Sequence, residues 1–531
     1  MKKRLALLAC LFGIMIMTIN IPAVADKMER VQNMGMPITA VVVPVSLQLE
    51  SKSHPLYLSD EQLYAARAKA PFLISSIREM LRNREFKKLN ATLSQYEKAF
   101  EEDVSNENKL FDVYDAFAVN DDSYEVLLDE WVAAYPESHQ PYLMRASYFH
   151  KQGWLSRGGK WAKETSEKQF EEMGANFLKA LNDIESSLLI NQSHAVSYSL
   201  LINVYKSLGN SDGVWSIVSK GLKEAPLSFK IRSSYLLAAT PRWGGSYEEM
   251  DRFADEAQVY LSKNPRLIAL KSYAFYDAGR LQMTAKNYGT ARQLLDAAIS
   301  LGEVAIFYEQ RARALQYLKE YNGALKDINR AIEMNAHESS FYYRKSRILS
   351  DKKMMPESLV NIEIADQLSP NDKRTIKYKK WIAAQFISVG YKKRKAGDIN
   401  GALEDYNFAL RANPDDGSSY YWRAQVLVDA KDLKSAYRDL KRSIQLDPNN
   451  FDAYHLMDWV LAQSSGWDEV IDYWGKYIAL NPKSDKAYLE RGGAYFRKGD
   501  VVSAVADAKK AADLGSLEGK QVYERYKNRV N

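Results

Sequence analysis

From Glu61 onward, apolar residues recur at three- and four-residue spacing, the period of a helix that buries one face. Leu89, Leu93, Tyr96 and Phe100 form one such stripe within a helix predicted over 86–100, beside another over 72–81. Further helical patterns cover 110–119, 124–135 (ended by Pro136), 142–149 and 170–189. Between the last two, residues 153–165 lose the period and read as an irregular insertion. Upstream, Ile38 to Leu49 (ITAVVVPVSLQL) is β-branched, but Pro44 in its middle restricts it to an edge strand or an unpaired arm. Residues 26–60 are therefore expected to be an extended or flexible leader.

In the second half of the chain the pattern acquires a fixed period. Pro414, Pro448 and Pro482 lie 34 residues apart, and so do Ala402, Ala436, Val470 and Ala504 in the second helix of each unit. From Ser358 to Ala402 the interval is 44, which implies ten extra residues around 373–382, expected as a helix longer than its neighbours. Pro226 to Pro265 is 39, and the five extra residues are assigned to Pro241-Arg242-Trp243-Gly244-Gly245 in an inter-helix turn. Helix pairs repeated at this interval stack into an all-α solenoid in which each unit touches its neighbours. Leu517 to Val530 is a charged last helix suited to cap its end.

Tyr420, Ala424, Ala436 and Pro448 occupy the places of a bulky residue, two small residues and a closing proline, so the unit resembles the tetratricopeptide repeat. The likeness extends over roughly 272–516. A second one covers roughly 70–270, where Trp154 to Trp161 (WLSRGGKW) and Pro241 to Ser246 (PRWGGS) are similar to paired markers of a bacterial family of unknown function. That family implies no activity. The expected organisation is a signal peptide at 1–25, the leader at 26–60, a divergent helical-repeat domain at 61–270, the repeat array at 271–516 and the cap at 517–531.

The repeat family places positions 5, 9 and 12 of each first helix on a concave groove. Carried onto this chain, those places are Glu309, Arg313 and Gln316, then Tyr343 and Arg347, then Tyr391 and Arg394. The next two repeats give Tyr421 and Gln425, then His455 and Trp459. Arg, Tyr and Trp are the side chains that most often dominate binding interfaces. The family's clamp for a C-terminal carboxylate needs Lys at 5 and Asn at 9, whereas position 9 here reads Arg313, Arg347, Tyr391, Gln425 and Trp459, so that clamp is not supported.

Length and charge narrow the function classes. A chain of 531 residues exceeds one compact core. Its net charge of +6 falls to +3 without Lys2, Lys3 and Arg4, too little to argue for nucleic acid. Those three residues, the apolar run Leu5 to Ile21 and Ala23-Val24-Ala25 form a secretory signal cleaved after Ala25, which directs the chain to the periplasm or the exterior; the alternative is an uncleaved N-terminal anchor. With cleavage, no stable membrane insertion is expected. Cys10, the one cysteine, follows Leu7-Leu8-Ala9 as in a lipobox, but the apolar run continues well past it. The mature chain has neither disulfides nor thiolate chemistry.

No catalytic, cofactor or metal residues are assigned. Six histidines are scattered without an i, i+4 pair, and no residue is assigned as a nucleophile. Gly153 to Lys160 is one residue too long for a phosphate loop, and Trp161 replaces the Ser or Thr that would hold magnesium. It reads as a glycine-rich turn pinned by Trp154 and Trp161, or else as an anion nest of the Gly158 and Gly159 amides. Pro241 to Ser246 has the chemistry of a turn and helix cap, with Arg242 and Trp243 displayed on it. Asn413 to Gly417 is read as the inter-repeat turn rather than a calcium loop. The expected function is an extracytoplasmic scaffold or adaptor whose groove binds an acidic, aromatic or aliphatic protein segment. Alternatives are an immunity or inhibitor protein occluding a toxin or envelope enzyme, and a glycan-binding or enzymatic module in 70–270.

Overall fold

The computed structural model describes residues 53–69, 72–159, 164–209 and 211–529. The expected signal peptide, the strand at 38–49 and Trp161 lie outside these. Among the described residues all regular structure is helical, from Asp60–Ala65 to Leu517–Tyr526. None of these helices is long and apolar enough to cross a membrane.

The repeat is written in the turns as clearly as in the helices. After each first helix one residue takes a left-handed conformation: Lys319 (φ 64°), Lys353 (φ 70°), Gly397 (φ 82°), Lys431 (φ 63°), Ser465 (φ 57°) and Gly499 (φ 93°). Their intervals of 34, 44, 34, 34 and 34 reproduce the sequence period, long step included. This residue ends the first helix, and in three repeats the Asp after it caps the second. Asp398, Asp432 and Asp500 accept from the amides of Gly401, Ser435 and Ser503 at 2.9, 3.0 and 3.0 Å. The long step is a long helix, as expected: Lys373–Lys395 has 23 residues, where Gly417–Asp429 has 13.

The expected insertion at 153–165 is corrected. The helix His139–Arg157 runs through Gly153 and stops only at Gly158, whose φ is 74°. Gly153 is where this helix crosses Glu167–Ile190; a Cβ there would stand 2.5 Å from Phe177 Cε1. Glycine blurs the apolar period because it contributes close approach instead of a side chain. The turn at 241–246 forms as its residues dictate. Pro241–Trp243 makes one 3-10 turn, Gly244 sits at φ 96°, and Ser246 Oγ accepts from the Glu249 amide at 3.1 Å. A Cβ on Gly245 would lie 2.0 Å from the Ala239 carbonyl oxygen, so no larger residue fits there.

Two compact units result. Of the described residues, the larger comprises those within Leu58–Gly159 and Thr165–Asp415, and the smaller those from Asp416 onward with residues 53–57 and 164. Residue 270, where the sequence suggested a change of domain, falls inside the larger unit, and one buried cluster draws residues from Ile74 to Ala412. That unit returns to its own start. The buried Arg78 guanidinium donates to the carbonyls of Ala116 (2.8 Å), Gln367 (2.9 Å) and Leu368 (2.7 Å). The last two close the helix Met355–Leu368, so a cation satisfies carbonyls that a helix end leaves free. Burial pushes the Arg78 pKa down to about 10. Asn120 and Asn371 exchange side-chain to carbonyl bonds of 2.8 and 2.9 Å beside it.

Within repeats, first and second helices are tied by a recurring bidentate pair. Arg311 grips Asp327 (2.7 and 2.8 Å), Arg423 grips Asp439 (2.7 and 2.8 Å) and Arg491 grips Asp507 (2.8 and 2.8 Å), always 16 residues apart. In the smaller unit the end of the leader is seated on this frame. The Tyr57 ring covers the Arg423 guanidinium at 4.7 Å, and the His54 amide donates to the Asp432 carboxylate.

The last helix, Leu517–Tyr526, closes the array. Gly519 lets it approach so closely that a Cβ would meet the Ala512 amide nitrogen at 2.7 Å, and Tyr526 lies over Phe496 with ring centroids 5.1 Å apart. Val522 and Tyr526 are both half-buried. Deleting 517–531 uncovers Ala511 and is expected to lower the stability of the end repeat by about 2 kcal/mol and to promote association. Thermal melting and sedimentation check this; a truncated chain that melts unchanged and stays monomeric refutes the cap.

Candidate functional site

The face of interest is carried by the first helices of the larger unit. Arg280, Arg313 and Arg347 occupy equivalent places on Tyr273–Thr284, Ala305–Tyr317 and Ser339–Asp351, at intervals of 33 and 34. All three are half-buried, and none forms an ion pair among the described residues. The Arg280 guanidinium lies over Tyr276 at 5.6 Å and that of Arg347 over Tyr378 at 6.0 Å. Arg313 Nε is buried without a hydrogen-bond partner. Their neighbours differ: Arg311 is held by Asp296 and Asp327, and Arg344 by Glu309.

Beside the arginines stands an aromatic step. Tyr343 meets Tyr378 at 5.5 Å, and Tyr378 stacks on Trp381 at 5.2 Å with planes 9° apart. Trp381 is 44% exposed, and Arg374 lies over the Tyr343 ring at 5.8 Å. Tyr378, Trp381 and Arg374 belong to the ten-residue extension of Lys373–Lys395 and were not foreseen as site residues. The 44-residue interval was their signal, because an extension past neighbouring helices adds surface on a first helix.

The other expected groove residues divide. Glu309 and Gln316 are buried in a network between repeats, a correction to their expected display. Glu309 accepts from Arg344 Nε at 3.0 Å, while Gln316 donates to Asp351 at 2.7 Å and accepts from Arg344 Nη1 at 3.3 Å. Because Arg344 reaches back from the next first helix, Ser339–Asp351, positions 5 and 12 here bind the neighbouring repeat instead of facing out. Tyr391 is exposed with the Lys395 ammonium 5.7 Å from its ring, and Arg394 is half-buried. The remaining four belong to the smaller unit. There Gln425 donates to the Tyr421 hydroxyl, exposed His455 stacks on Phe451 at 6.4 Å, and Trp459 is 45% exposed.

Arg242 is exposed on the turn, and its guanidinium is engaged there. It ion-pairs with the buried Asp277 carboxylate, which also accepts from the Tyr247 hydroxyl at 3.2 Å. Trp243 keeps 36% exposure. Trp154 is fixed, donating from Nε1 to His150 Nε2 at 3.3 Å and lying edge-on to Phe177 at 5.8 Å. The surroundings are cationic. Burial and the nearby Arg242 and Arg280 push the Lys206 pKa down to about 8. Burial, with Lys206 and Lys151, pushes His150 down to about 4.

Comparisons with known proteins agree with this architecture. Residues 390–451 and 460–518 match the tetratricopeptide repeat, and residues 73–219 match a domain of unknown function, DUF4034. The chain is 22% identical over 238 residues to the mitochondrial import receptor subunit TOM70 of Homo sapiens, covering 44% of this chain and 39% of that protein. It is 22% identical over 242 residues to the Hsp70-Hsp90 organizing protein of Triticum aestivum, covering 45% and 34%. The chain thus spans little more than a third of these relatives. Among solved structures, YrrB, described as a TPR protein with an unusual peptide-binding site, is 21% identical with a TM-score of 0.25, covering 37% of this chain and 97% of its own. MamA is 22% identical with a TM-score of 0.23, covering 35% and 94%. The chain carries tetratricopeptide repeats over residues 390–451 and 460–518 and resembles DUF4034 over residues 73–219.

Proposed function

We propose that this protein is a non-catalytic scaffold whose first helices bind an acidic protein segment bearing aromatic or aliphatic side chains. The observation that carries the reading is the row Arg280, Arg313 and Arg347, three equivalent cations without ion-pair partners among the described residues, beside the stacked Tyr378 and Trp381. Planar guanidinium groups grip carboxylates bidentately, and rigid rings add apolar area at low entropic cost. Two relatives are named for handling other proteins, one as an import receptor subunit and one as an organizer of two chaperones, which supports the same class of role.

The test is a panel of labelled twelve-residue peptides titrated by fluorescence anisotropy. Peptides combining Asp or Glu with Phe, Trp or Leu bind, and their Asn or Gln counterparts bind at least about tenfold more weakly, the difference shrinking as salt rises. Equal binding of charged and neutral peptides overturns the proposal.

The proposed location is extracytoplasmic. N-terminal sequencing of exported protein is expected to begin at Asp26. A retained Met1 establishes an anchor instead, and a lipid on Cys10 establishes a lipoprotein.

A further inference from the structure

Two of the six histidines meet in the larger unit, on elements far apart in sequence. His139 is the first residue of His139–Arg157, and His194 caps the start of Ala195–Ser207. Between them stands Glu97 of Phe86–Glu102. Glu97 Oε1 is 3.0 Å from His139 Nε2 and 3.5 Å from His194 Nε2, and the three candidate donor atoms all lie within 4.8 Å of one another. Tetrahedral zinc, with bonds of about 2.0–2.2 Å, separates its ligand atoms by roughly 3.3–3.6 Å, so this triangle needs small side-chain shifts and no movement of the helices.

A second observation points the same way. His194 is 4% exposed, yet neither of its ring nitrogens has a hydrogen-bond partner. Buried imidazoles ordinarily satisfy at least one nitrogen. Here Nε2 faces the carboxylate at a separation that suits two ligands of one ion better than a bond between them. The carboxylate is oriented from behind. The Tyr114 hydroxyl donates to Oε1, and Gln140 Nε2 donates to Oε2 at 3.3 Å and to Ser94 Oγ at 3.1 Å. Metal sites are built in this way, with outer residues fixing the ligand that meets the ion.

We propose that Glu97, His139 and His194 form a zinc site that staples together the helices Phe86–Glu102, His139–Arg157 and Ala195–Ser207. The side chains are 13%, 11% and 3% exposed, too enclosed to admit a large substrate, so the role is structural, with a water as the fourth ligand. Glu97 also supplies the negative charge that a cation needs beside two helix N-termini. The chemistry is that of a borderline divalent cation held by two imidazoles and one carboxylate. All three ligands fall inside the stretch that matches DUF4034.

The full chain, stripped with EDTA and dialysed, is titrated with Zn2+ against a chromophoric chelator and, separately, with Co2+ for its visible spectrum. The expected result is one Zn2+ per chain, a melting midpoint raised by several degrees, and a Co2+ spectrum of four-coordinate type. Glu97→Gln keeps the shape of the side chain and is expected to weaken Zn2+ at least about 100-fold, His194→Ala to remove it, and Gln140→Ala to weaken it about 10- to 100-fold. Circular dichroism of each variant separates ligand loss from unfolding, and His455→Ala serves as an exposed control. The proposal fails if the wild-type chain takes up no Zn2+, or if folded Glu97→Gln and wild type bind it equally.

Discussion

Arg423→Ala is expected to destabilise the smaller unit by roughly 3 to 5 kcal/mol, the cost of leaving a buried charge without its partner. Arg423 is fully buried and Asp439 is 1% exposed, and two parallel bonds of 2.7 and 2.8 Å join them. Rings of Tyr57 and Tyr420 lie 4.7 and 5.7 Å from the guanidinium, so water has little access to the carboxylate left behind. Urea titration followed by tryptophan fluorescence reads the loss. Two comparisons make the attribution specific. Arg491→Ala removes the same pair where the arginine side chain is 22% exposed, and is expected to cost about 1 to 2 kcal/mol. Replacing both partners, Arg423→Met with Asp439→Leu, recovers most of the loss because no orphaned charge remains. A cost below about 1 kcal/mol for Arg423→Ala refutes this account.

These pairs also show how far a sequence can be read. A 16-residue offset between Arg and Asp, with a 34-residue repeat, is local and periodic, so helix pairs and the long helix at 373–395 follow from spacing. What escapes is anything set by one particular crossing. Gly153 looked like the start of a loop because the reason for a glycine there is Phe177, 24 residues away. Glu309 and Gln316 occupy groove positions by the repeat's numbering, yet Arg344 of the next repeat draws both into the interface. Arg242 is exposed as its turn suggests, but the buried Asp277 that it pairs with lies 35 residues on. Glu97, His139 and His194 belong to no motif, since intervals of 42 and 55 residues have no meaning until layers are stacked. Arg78 meets the end of a helix 290 residues on, where no periodic signal reaches.

The row of arginines is a case of the opposite kind, in which the register is legible and only the environment had to be added. The double substitution Arg313→Ala with Arg347→Ala is expected to weaken a bound acidic segment by roughly 2 to 4 kcal/mol, or about 30- to 1,000-fold. Neither arginine forms an ion pair among the described residues, so their removal strands no carboxylate, and the melting midpoint is expected to move little. Loss of Arg313 even removes a buried Nε that has no partner. Arg330→Ala, on the second helix Tyr321–Met334 and paired with Glu303 at 2.6 Å, is the matched control and is expected to bind as wild type does. The deficit narrows at high salt, because the lost term is electrostatic and partly exposed to solvent. Trp381→Ala separates the two components of the face: it weakens binding at every salt concentration, since stacking area is not screened. If the double variant binds the acidic peptides like wild type while Trp381→Ala does not, the segment is held by its apolar residues, and the arginine row is not the element that selects it.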